Sequence, residues 1–177
     1  MGAIETLVHR NREFAASRFS PQLTIAPRLG TTVIGCLDPR IDPAHVLGLE
    51  LGDAPVIRNV GGRVTPGTLE NLDLLALGFP APADRRPEDR MALVVLQHTG
   101  CGITRMQGAP EALAAYFGVG TSALAGKAVA DPRAAVAVDV AQLLAHPGVA
   151  EAYTVSGLVY DVATGLVEVV VPAEVAA

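Results

Sequence analysis

Short apolar blocks alternate along the chain with polar or glycine-rich segments. Two of these blocks, residues 31–36 and 91–97, are rich in β-branched residues and stop abruptly in polar side chains. Runs of this kind are typical of strands that a parallel sheet buries on both faces. Shorter strand patterns occupy three further segments: 54–58, 152–159 and 165–171. A turn separates the last two, which predicts a hairpin or a strand with an extension.

The segments between the strands predict helices. The first, residues 4–18, carries Ile4 and Leu7 among charged neighbours, a pattern typical of an amphipathic helix. Asp-Pro pairs begin two others, because aspartate caps a helix N-terminus and proline suits the first helical position. We expect Pro110 to restart the fourth helix and Pro147 to end the fifth. The predicted helices cover 4–18, 42–48, 65–78, 103–117 and 133–146.

Strands that alternate with helices indicate an α/β fold. We therefore predict a mainly parallel central β-sheet flanked by helices, with a C-terminal edge strand or hairpin. The length suits one domain, so residues 1–177 are assigned to a single unit, with residues 1–30 as an N-terminal helical arm. This arm is expected to lie across the body of the protein or against another subunit.

Charge and composition narrow the possible functions. The net charge is −5 and the basic residues form no cluster, so a nucleic-acid partner is not expected. No apolar run approaches the ~18 residues that span a bilayer, and the first residues lack the pattern of a signal peptide. We therefore expect no membrane association and a cytoplasmic location, where thiols stay reduced. Cys36 and Cys101 are then free thiols or metal ligands rather than a disulfide.

The two strongest strand patterns end in residues that can bind a metal. Cys36 ends the first, and His98 and Cys101 follow the second. The carboxyl ends of neighbouring parallel strands meet at one edge of the sheet, where ligands collect. Two sulfurs, one imidazole nitrogen and an open position suit a catalytic zinc ion. Against this, a free cysteine is often simply buried, and a histidine three residues before a cysteine occurs in many unrelated chains.

Asp38 and Arg40 follow Cys36 at intervals of two residues, so in an extended segment all three side chains point the same way. An arginine fork can keep a carboxylate ionised and fix its direction. Pro39 stiffens the backbone between them. Asp38 would then lie beside the metal with Arg40 as its clamp. The plainer alternative is an ordinary ion pair.

Three sequence blocks containing these residues resemble the β-class carbonic anhydrases. They are CLDPRIDP at 36–43, GDAPVIRNVGG at 52–62 and HTGCG at 98–102, in the order and spacing of that family. The resemblance covers about residues 4–107. It implies a zinc enzyme, with one Zn²⁺ per chain, that interconverts carbon dioxide and bicarbonate. It also implies a homodimer or a higher assembly of dimers, with the active cleft at the subunit interface.

Position by position, the resemblance makes Cys36, His98 and Cys101 the zinc ligands. Asp38 and Arg40 correspond to the catalytic carboxylate–guanidinium pair of the family. Asp38 would accept a hydrogen bond from zinc-bound hydroxide and direct the hydroxide at carbon dioxide, while Arg40 would keep the carboxylate anionic. In a second, closed state, Asp38 would itself be the fourth zinc ligand.

The resemblance also favours a site-shaping role for the loop with Gly61 and Gly62. Arg58 and Asn59 are interpreted as residues that tie the loops together, and His45 is a weak candidate for a proton shuttle. The chain departs from the family pattern at Pro39, inside the Asp38–Arg40 motif. It also contains no tryptophan, so a regulatory bicarbonate pocket built around one is not expected.

Three other functions stay open at this stage. One is the hydrolysis of carbon disulfide or carbonyl sulfide on the same scaffold. The second is a non-catalytic zinc-site protein with a structural or regulatory role. The third is a dithiol redox protein that uses Cys36 and Cys101.

Overall fold

A computed structural model describes residues 2–78, 86 and 89–176 of the chain. Its centre is a five-stranded sheet with the strand order β2-β1-β3-β4-β5. The predicted α/β fold with a mainly parallel sheet is confirmed. The strands are β1 (Thr31–Cys36), β2 (Val56–Asn59), β3 (Met91–His98), β4 (Tyr153–Tyr160) and β5 (Val167–Glu174).

Strands β1 to β4 are parallel, and β5 runs antiparallel to β4 at one edge. The C-terminal hairpin is therefore confirmed. Strand β1 has a strand on both sides, and Ile34 of β1 lies opposite Val95 of β3. Both side chains are fully buried, which explains why these segments are continuous apolar runs rather than alternating ones. This register also brings the ends of β1 and β3 to one edge of the sheet.

Six α-helices connect and cover the strands in the described part of the chain. They are α1 (Ala3–Ser17), α2 (Pro43–Val46), α3 (Pro66–Gly78), α4 (Pro110–Phe117), α5 (Pro132–Leu144) and α6 (Pro147–Ala152). Short 3₁₀ helices occupy Pro39–Ile41, Val60–Gly62, Gly102–Gly108 and Thr121–Lys127. The Asp-Pro prediction is confirmed, because the side chains of Asp42 and Asp131 accept hydrogen bonds from backbone N–H groups at the starts of α2 and α5.

Some element boundaries differ from the prediction. Strand β2 begins at Val56, two residues later than expected. The predicted helix over 103–117 is divided into a 3₁₀ helix and α4, which begins at Pro110. Pro147 was predicted to end a helix but begins α6 instead, since the fixed φ of proline favours the first helical position. The predicted surface loop at 80–90 falls mostly outside the described residues.

The main hydrophobic core lies between the sheet and the helices α3, α5 and α6. Helix α5 packs closely because Gly157 of β4 has no side chain. A Cβ atom there would lie 2.9 Å from a methyl group of Val136, closer than two carbon atoms can pack. The buried core includes Ile34, Leu72, Leu93, Val95, Val136, Val140, Leu143, Val149 and Val155.

A buried ion pair ties α5 to the segment that follows β2. Arg63 is 0% exposed, and its Nε donates to Asp139 Oδ2 of α5 at 2.7 Å. Arg63 Nη2 donates to the carbonyl of Lys127 at 2.7 Å, and its guanidinium lies 4.9 Å from the centre of the Phe117 ring. Gln97 of β3 donates to the same carboxylate oxygen at 2.9 Å. Burial raises the pKa of Asp139 more than its bonds with Arg63 lower it.

Helix α1 contributes no buried side chain to the core. It has no buried residue, and its apolar side chains are open to solvent, with Ile4 72% and Leu7 59% exposed. An amphipathic helix without a partner in its own chain is an expected docking face. Among the described helices, none is both long and apolar enough for a bilayer crossing.

The Arg63–Asp139 pair yields a stability prediction. Asp139→Ala leaves the buried Arg63 without its counter-charge, which costs about 3–5 kcal/mol in comparable buried pairs. Urea denaturation followed by circular dichroism measures the free energy of unfolding. The control is Glu168→Ala, which breaks an ion pair with Arg133 that is 52% exposed on both sides and should lower the free energy of unfolding much less, because solvent screens exposed pairs. Equal losses in the two variants would contradict the prediction.

Candidate metal centre

The ends of β1 and β3 bring three metal-binding side chains together. Ligand atoms of Cys36, His98 and Cys101 all lie within 4.8 Å of one another, and the two sulfurs are 3.8 Å apart. Cys36 and His98 are buried, and Cys101 is half-buried. The three residues proposed as ligands from the sequence therefore form one cluster at the edge of the sheet.

The orientation of His98 leaves one ring nitrogen available for a metal. Nδ1 lies 3.0 Å from the carbonyl oxygen of Thr99. Because a carbonyl oxygen can only accept a hydrogen bond, Nδ1 carries the ring hydrogen. Nε2 then carries a lone pair, and this buried atom has no hydrogen-bond partner. Thr99 is itself held by the end of the neighbouring strand, through a bond from its N–H to the carbonyl of Tyr160 at 3.0 Å. An unsatisfied buried nitrogen beside two sulfurs is a donor set that fits a metal ion.

The two thiols share charge unequally. The hydrogen bond from Cys101, supported by the backbone N–H groups of Asp38 and Gly61, lowers the pKa of Cys36 to about 4. The same contact and burial raise the pKa of Cys101. The contact between the two sulfurs therefore favours the thiolate on Cys36 and the thiol on Cys101. A bound metal would hold both sulfurs as thiolates, since the thiolate is the ligand form.

The glycine pair after β2 packs directly against the end of β1. Gly62 has a φ of +61°, and a Cβ there would lie 2.8 Å from the backbone nitrogen of Cys36. Any other residue would strain the backbone and displace a residue of the cluster. Gly62 also accepts a hydrogen bond at its carbonyl from Gln97 at 3.4 Å, which joins this loop to the residue before His98.

Asp38 faces Arg40. Arg40 Nε donates to Asp38 Oδ1 at 3.0 Å, and Nη2 donates to Oδ2 at 2.7 Å. The bidentate pair holds the pKa of Asp38 well below its usual range. Arg40 Nη2 also donates to the carbonyl of Gly100 at 3.0 Å, which fixes the fork between the two halves of the site. Asp38 Oδ2 still lies only 4.0 Å from His98 Nε2.

Pro39, the departure flagged in the sequence, preserves this geometry. It opens the 3₁₀ helix Pro39–Ile41, and Asp38 is the cap whose side chain accepts from the N–H of Arg40. Proline fits the first position of such a turn because its missing N–H would have no partner there. Pro39 therefore supports the pairing of Asp38 with Arg40.

Arg58 contributes more to the site than the sequence indicated. The sequence suggested only that it ties loops together, whereas all three of its nitrogens bind the segment containing Cys36 and Asp38. One signal was available, because Arg58 lies near the carboxyl end of β2 and that end lies at the same edge of the sheet. Asn59 instead binds Arg63 and Thr68, and so stabilises the glycine loop from behind.

His45 does not reach the cluster. Its side chain is 88% exposed, and Nδ1 lies 3.3 Å from Asp42 Oδ1. The exposed side chain of His45 therefore points to no contact with Cys36, His98 or Cys101 that would support the proton-shuttle hypothesis.

The donor set fits a tetrahedral zinc ion better than a harder cation. Two thiolates and an imidazole suit zinc, and calcium and magnesium prefer oxygen ligands. Three protein ligands leave one position open for a small molecule. A clamped carboxylate lies beside that position.

Comparison with known proteins agrees with this geometry. A family model described as carbonic anhydrase matches residues 31–167. The chain is 27% identical to β-carbonic anhydrase 1 of Mycobacterium bovis over 158 residues, which cover 89% of this chain and 91% of that protein. The structure superposes on a carbonic anhydrase of Streptococcus mutans with a TM-score of 0.73 and 28% identity, covering 96% of this chain and 98% of that one.

A carbon disulfide hydrolase of an Acidianus species is also similar. It is 32% identical over 85 residues, which cover 48% of this chain and 36% of that protein. The family model, by contrast, matches more than half of the chain, from the first residue of β1 to the first residue of β5. On this evidence the chain belongs to the β-carbonic anhydrase family of enzymes.

Proposed function

We propose that this protein is a zinc-dependent carbonic anhydrase that reversibly hydrates carbon dioxide to bicarbonate and a proton. The main observation behind this proposal is the position of the Asp38 carboxylate beside the cluster of Cys36, His98 and Cys101. This carboxylate accepts two hydrogen bonds from the guanidinium of Arg40, yet one carboxylate oxygen lies 4.0 Å from the unpartnered Nε2 of His98. A purely structural zinc site would take this carboxylate as its fourth protein ligand, whereas Arg40 holds it beside the cluster.

Zinc, held by Cys36, His98 and Cys101, would act as a Lewis acid that lowers the pKa of water toward neutrality. Asp38 would accept a hydrogen bond from the reacting water and so orient its lone pair toward carbon dioxide. The low pKa of Asp38 keeps it a pure acceptor across the neutral range. Arg40 holds that carboxylate in place while bound to the carbonyl of Gly100.

The charge of the ligand set makes this help from Asp38 more important. Two thiolates would neutralise the two positive charges of Zn²⁺, so the centre should acidify water less than a site with three histidines does. A fixed acceptor compensates by orienting the reactive species, because correct orientation lowers the barrier without extra acidity.

The same closeness permits a resting state in which Asp38 occupies the fourth metal position. Its Oδ2 would need to leave Arg40 Nη2, which it contacts at 2.7 Å. The bidentate pair with Arg40 opposes that movement. The bonds from Arg40 to Asp38 favour the arrangement that would leave the metal position open to substrate.

Carbon disulfide hydrolysis is the second candidate, favoured by the 32% identity with the Acidianus enzyme. Carbon disulfide is a linear apolar molecule like carbon dioxide, and the same metal cluster would serve both. Purified protein should be assayed for hydrogen sulfide release from carbon disulfide beside carbon dioxide hydration. Sulfide release without measurable carbon dioxide hydration would replace the first proposal with the second.

We also propose a homodimer or a higher assembly of dimers as the working form. The exposed apolar residues of α1, including Ile4 and Leu7, are suited to cover a second copy of the chain. The proposed location is the cytoplasm, because Cys36 and Cys101 serve as ligands only while reduced. Sedimentation of the zinc-loaded protein tests the assembly, and a fully active monomer would overturn it.

Metal binding should release protons. At neutral pH, the lowered pKa of Cys36 and the raised pKa of Cys101 favour one thiolate and one thiol before zinc binds, and zinc requires both as thiolates. About one proton should therefore leave the pair per zinc bound. Since the proton is a product, zinc affinity should rise with pH, by about tenfold per unit. Calorimetry at pH 7 in buffers of different ionisation enthalpy counts the protons, and a count of zero would contradict the shared-thiolate arrangement.

Removal of the carboxylate should separate activity from metal binding. Asp38→Asn keeps the shape but loses the anionic acceptor, and groups beside a metal typically contribute 10–100-fold. We therefore expect kcat/KM for carbon dioxide hydration, measured by stopped flow, to fall about 100-fold while zinc stays at one per chain. The control is Asp53→Asn, whose carboxylate binds Arg28 away from the cluster. Full activity of Asp38→Asn would exclude the proposed role.

A further inference from the structure

Arg58 holds the segment that carries the metal ligand and the catalytic carboxylate. It lies on β2, opposite Gly35 of β1. Its Nε donates to the carbonyl of Cys36 at 2.9 Å, and its Nη2 donates to the carbonyl of Asp38 at 3.0 Å. A single side chain therefore fixes two peptide groups on either side of Leu37.

The third nitrogen of Arg58 anchors the far end of the same segment. Nη1 donates to Asp42 Oδ2 at 2.5 Å. Asp42 is immobilised in turn, because its other oxygen caps α2 through the N–H of Ala44 at 3.0 Å. Arg58 thus connects β1, the Asp38 turn and α2. The side chain is 25% exposed, so these bonds are only partly screened by solvent.

Backbone hydrogen bonds also restrain this turn. The N–H of Leu37 donates to the carbonyl of Asn59 at 2.9 Å, and the N–H of Ile41 donates to the carbonyl of Asp38 at 3.2 Å. Pro39 has no N–H to donate. Arg58 adds a shorter bond to the carbonyl of Asp38, at 3.0 Å, and a bond to the carbonyl of Cys36.

We propose that Arg58 is a positioning residue that keeps Asp38 on Arg40 and out of the metal position. The proposal rests on the function proposed above and adds a residue to it. With the carbonyl of Asp38 fixed, the carboxylate leaves Cβ in the direction of the Arg40 fork. Without Arg58, the carbonyl of Asp38 loses the shorter of its two hydrogen bonds, and the 4.0 Å between Asp38 Oδ2 and His98 Nε2 becomes easier to close.

Arg58→Lys tests the proposal, because one ammonium cannot reach two carbonyls and a carboxylate in the geometry of a guanidinium fork. We expect kcat/KM for carbon dioxide hydration to fall about tenfold with zinc retained. In the Asp38→Asn background the same change should cost less than about twofold, since Arg58 acts through that carboxylate. Equal fold-losses in both backgrounds would mean a merely structural role and would overturn the proposal.

A crystal structure of zinc-loaded Arg58→Lys gives a readout apart from activity. The bonds between Asp38 and Arg40 should be broken in at least part of the molecules, and intact bonds would overturn the proposal. The matched control is Arg28→Lys. Arg28 also binds two carboxylates beside a strand, those of Glu50 and Asp53, but contacts neither Cys36 nor Asp38. Its kcat/KM should stay within about twofold of the parent in both backgrounds.

If Arg58→Lys fails to fold, Asp42→Asn tests the same proposal. Asparagine keeps the helix cap but removes the charge that Arg58 Nη1 binds, so a smaller loss is expected, again absent in the Asp38→Asn background. A loss that persists there would count against the proposal. The parent protein in the same assay distinguishes the proposed function from the role of Arg58. If the parent does not hydrate carbon dioxide, the proposed function is rejected. If the parent is active and Arg58→Lys is equally active, only the role of Arg58 is rejected.

Discussion

The parallel pairing of β1 with β3 is the constraint on which the rest of the site depends. Ile34 lies opposite Val95 and Gly35 opposite Leu96, so the two strands end at the same level. A shift of one residue would turn every side chain of a strand to the other face of the sheet. Cys36 and His98 meet because this register is set by buried apolar contacts.

Behind the cluster, polar contacts replace apolar ones. Arg63, Gln97 and Asp139 are all buried, and the carboxylate of Asp139 accepts hydrogen bonds from both other side chains. Through Gln97 and the carbonyl of Gly62, this network reaches both the residue before His98 and the loop that packs on Cys36. A buried ion pair is costly to assemble. Here it links α5, β3 and the glycine loop. The strand that carries His98 and the loop that packs on Cys36 are therefore stabilised by the same buried network.

Periodicity and local chemistry in the sequence were enough to predict the sheet, the capped helices and the three clustered side chains. Abrupt ends of apolar strands carried the information for Cys36 and His98, because strand ends are local features. The roles of Arg58 and Asp139 were not predictable in this way. Each acts through contacts with residues distant in the sequence, and an arginine on a strand or an aspartate in a helix ordinarily faces water. Pro147 was misjudged because proline both ends and begins helices.

The nearness of Asp38 to His98 Nε2 has a consequence for inhibition. If zinc binds the cluster as proposed, the tethered carboxylate of Asp38 would be present beside its fourth coordination position at a high effective concentration, whatever the composition of the solution. An external anion would then compete with an inhibitor that the chain carries itself. The strength of the bonds from Arg40 would set the apparent affinity of anions for the metal as well as the activity, since weaker bonds would make the protein less sensitive to anions.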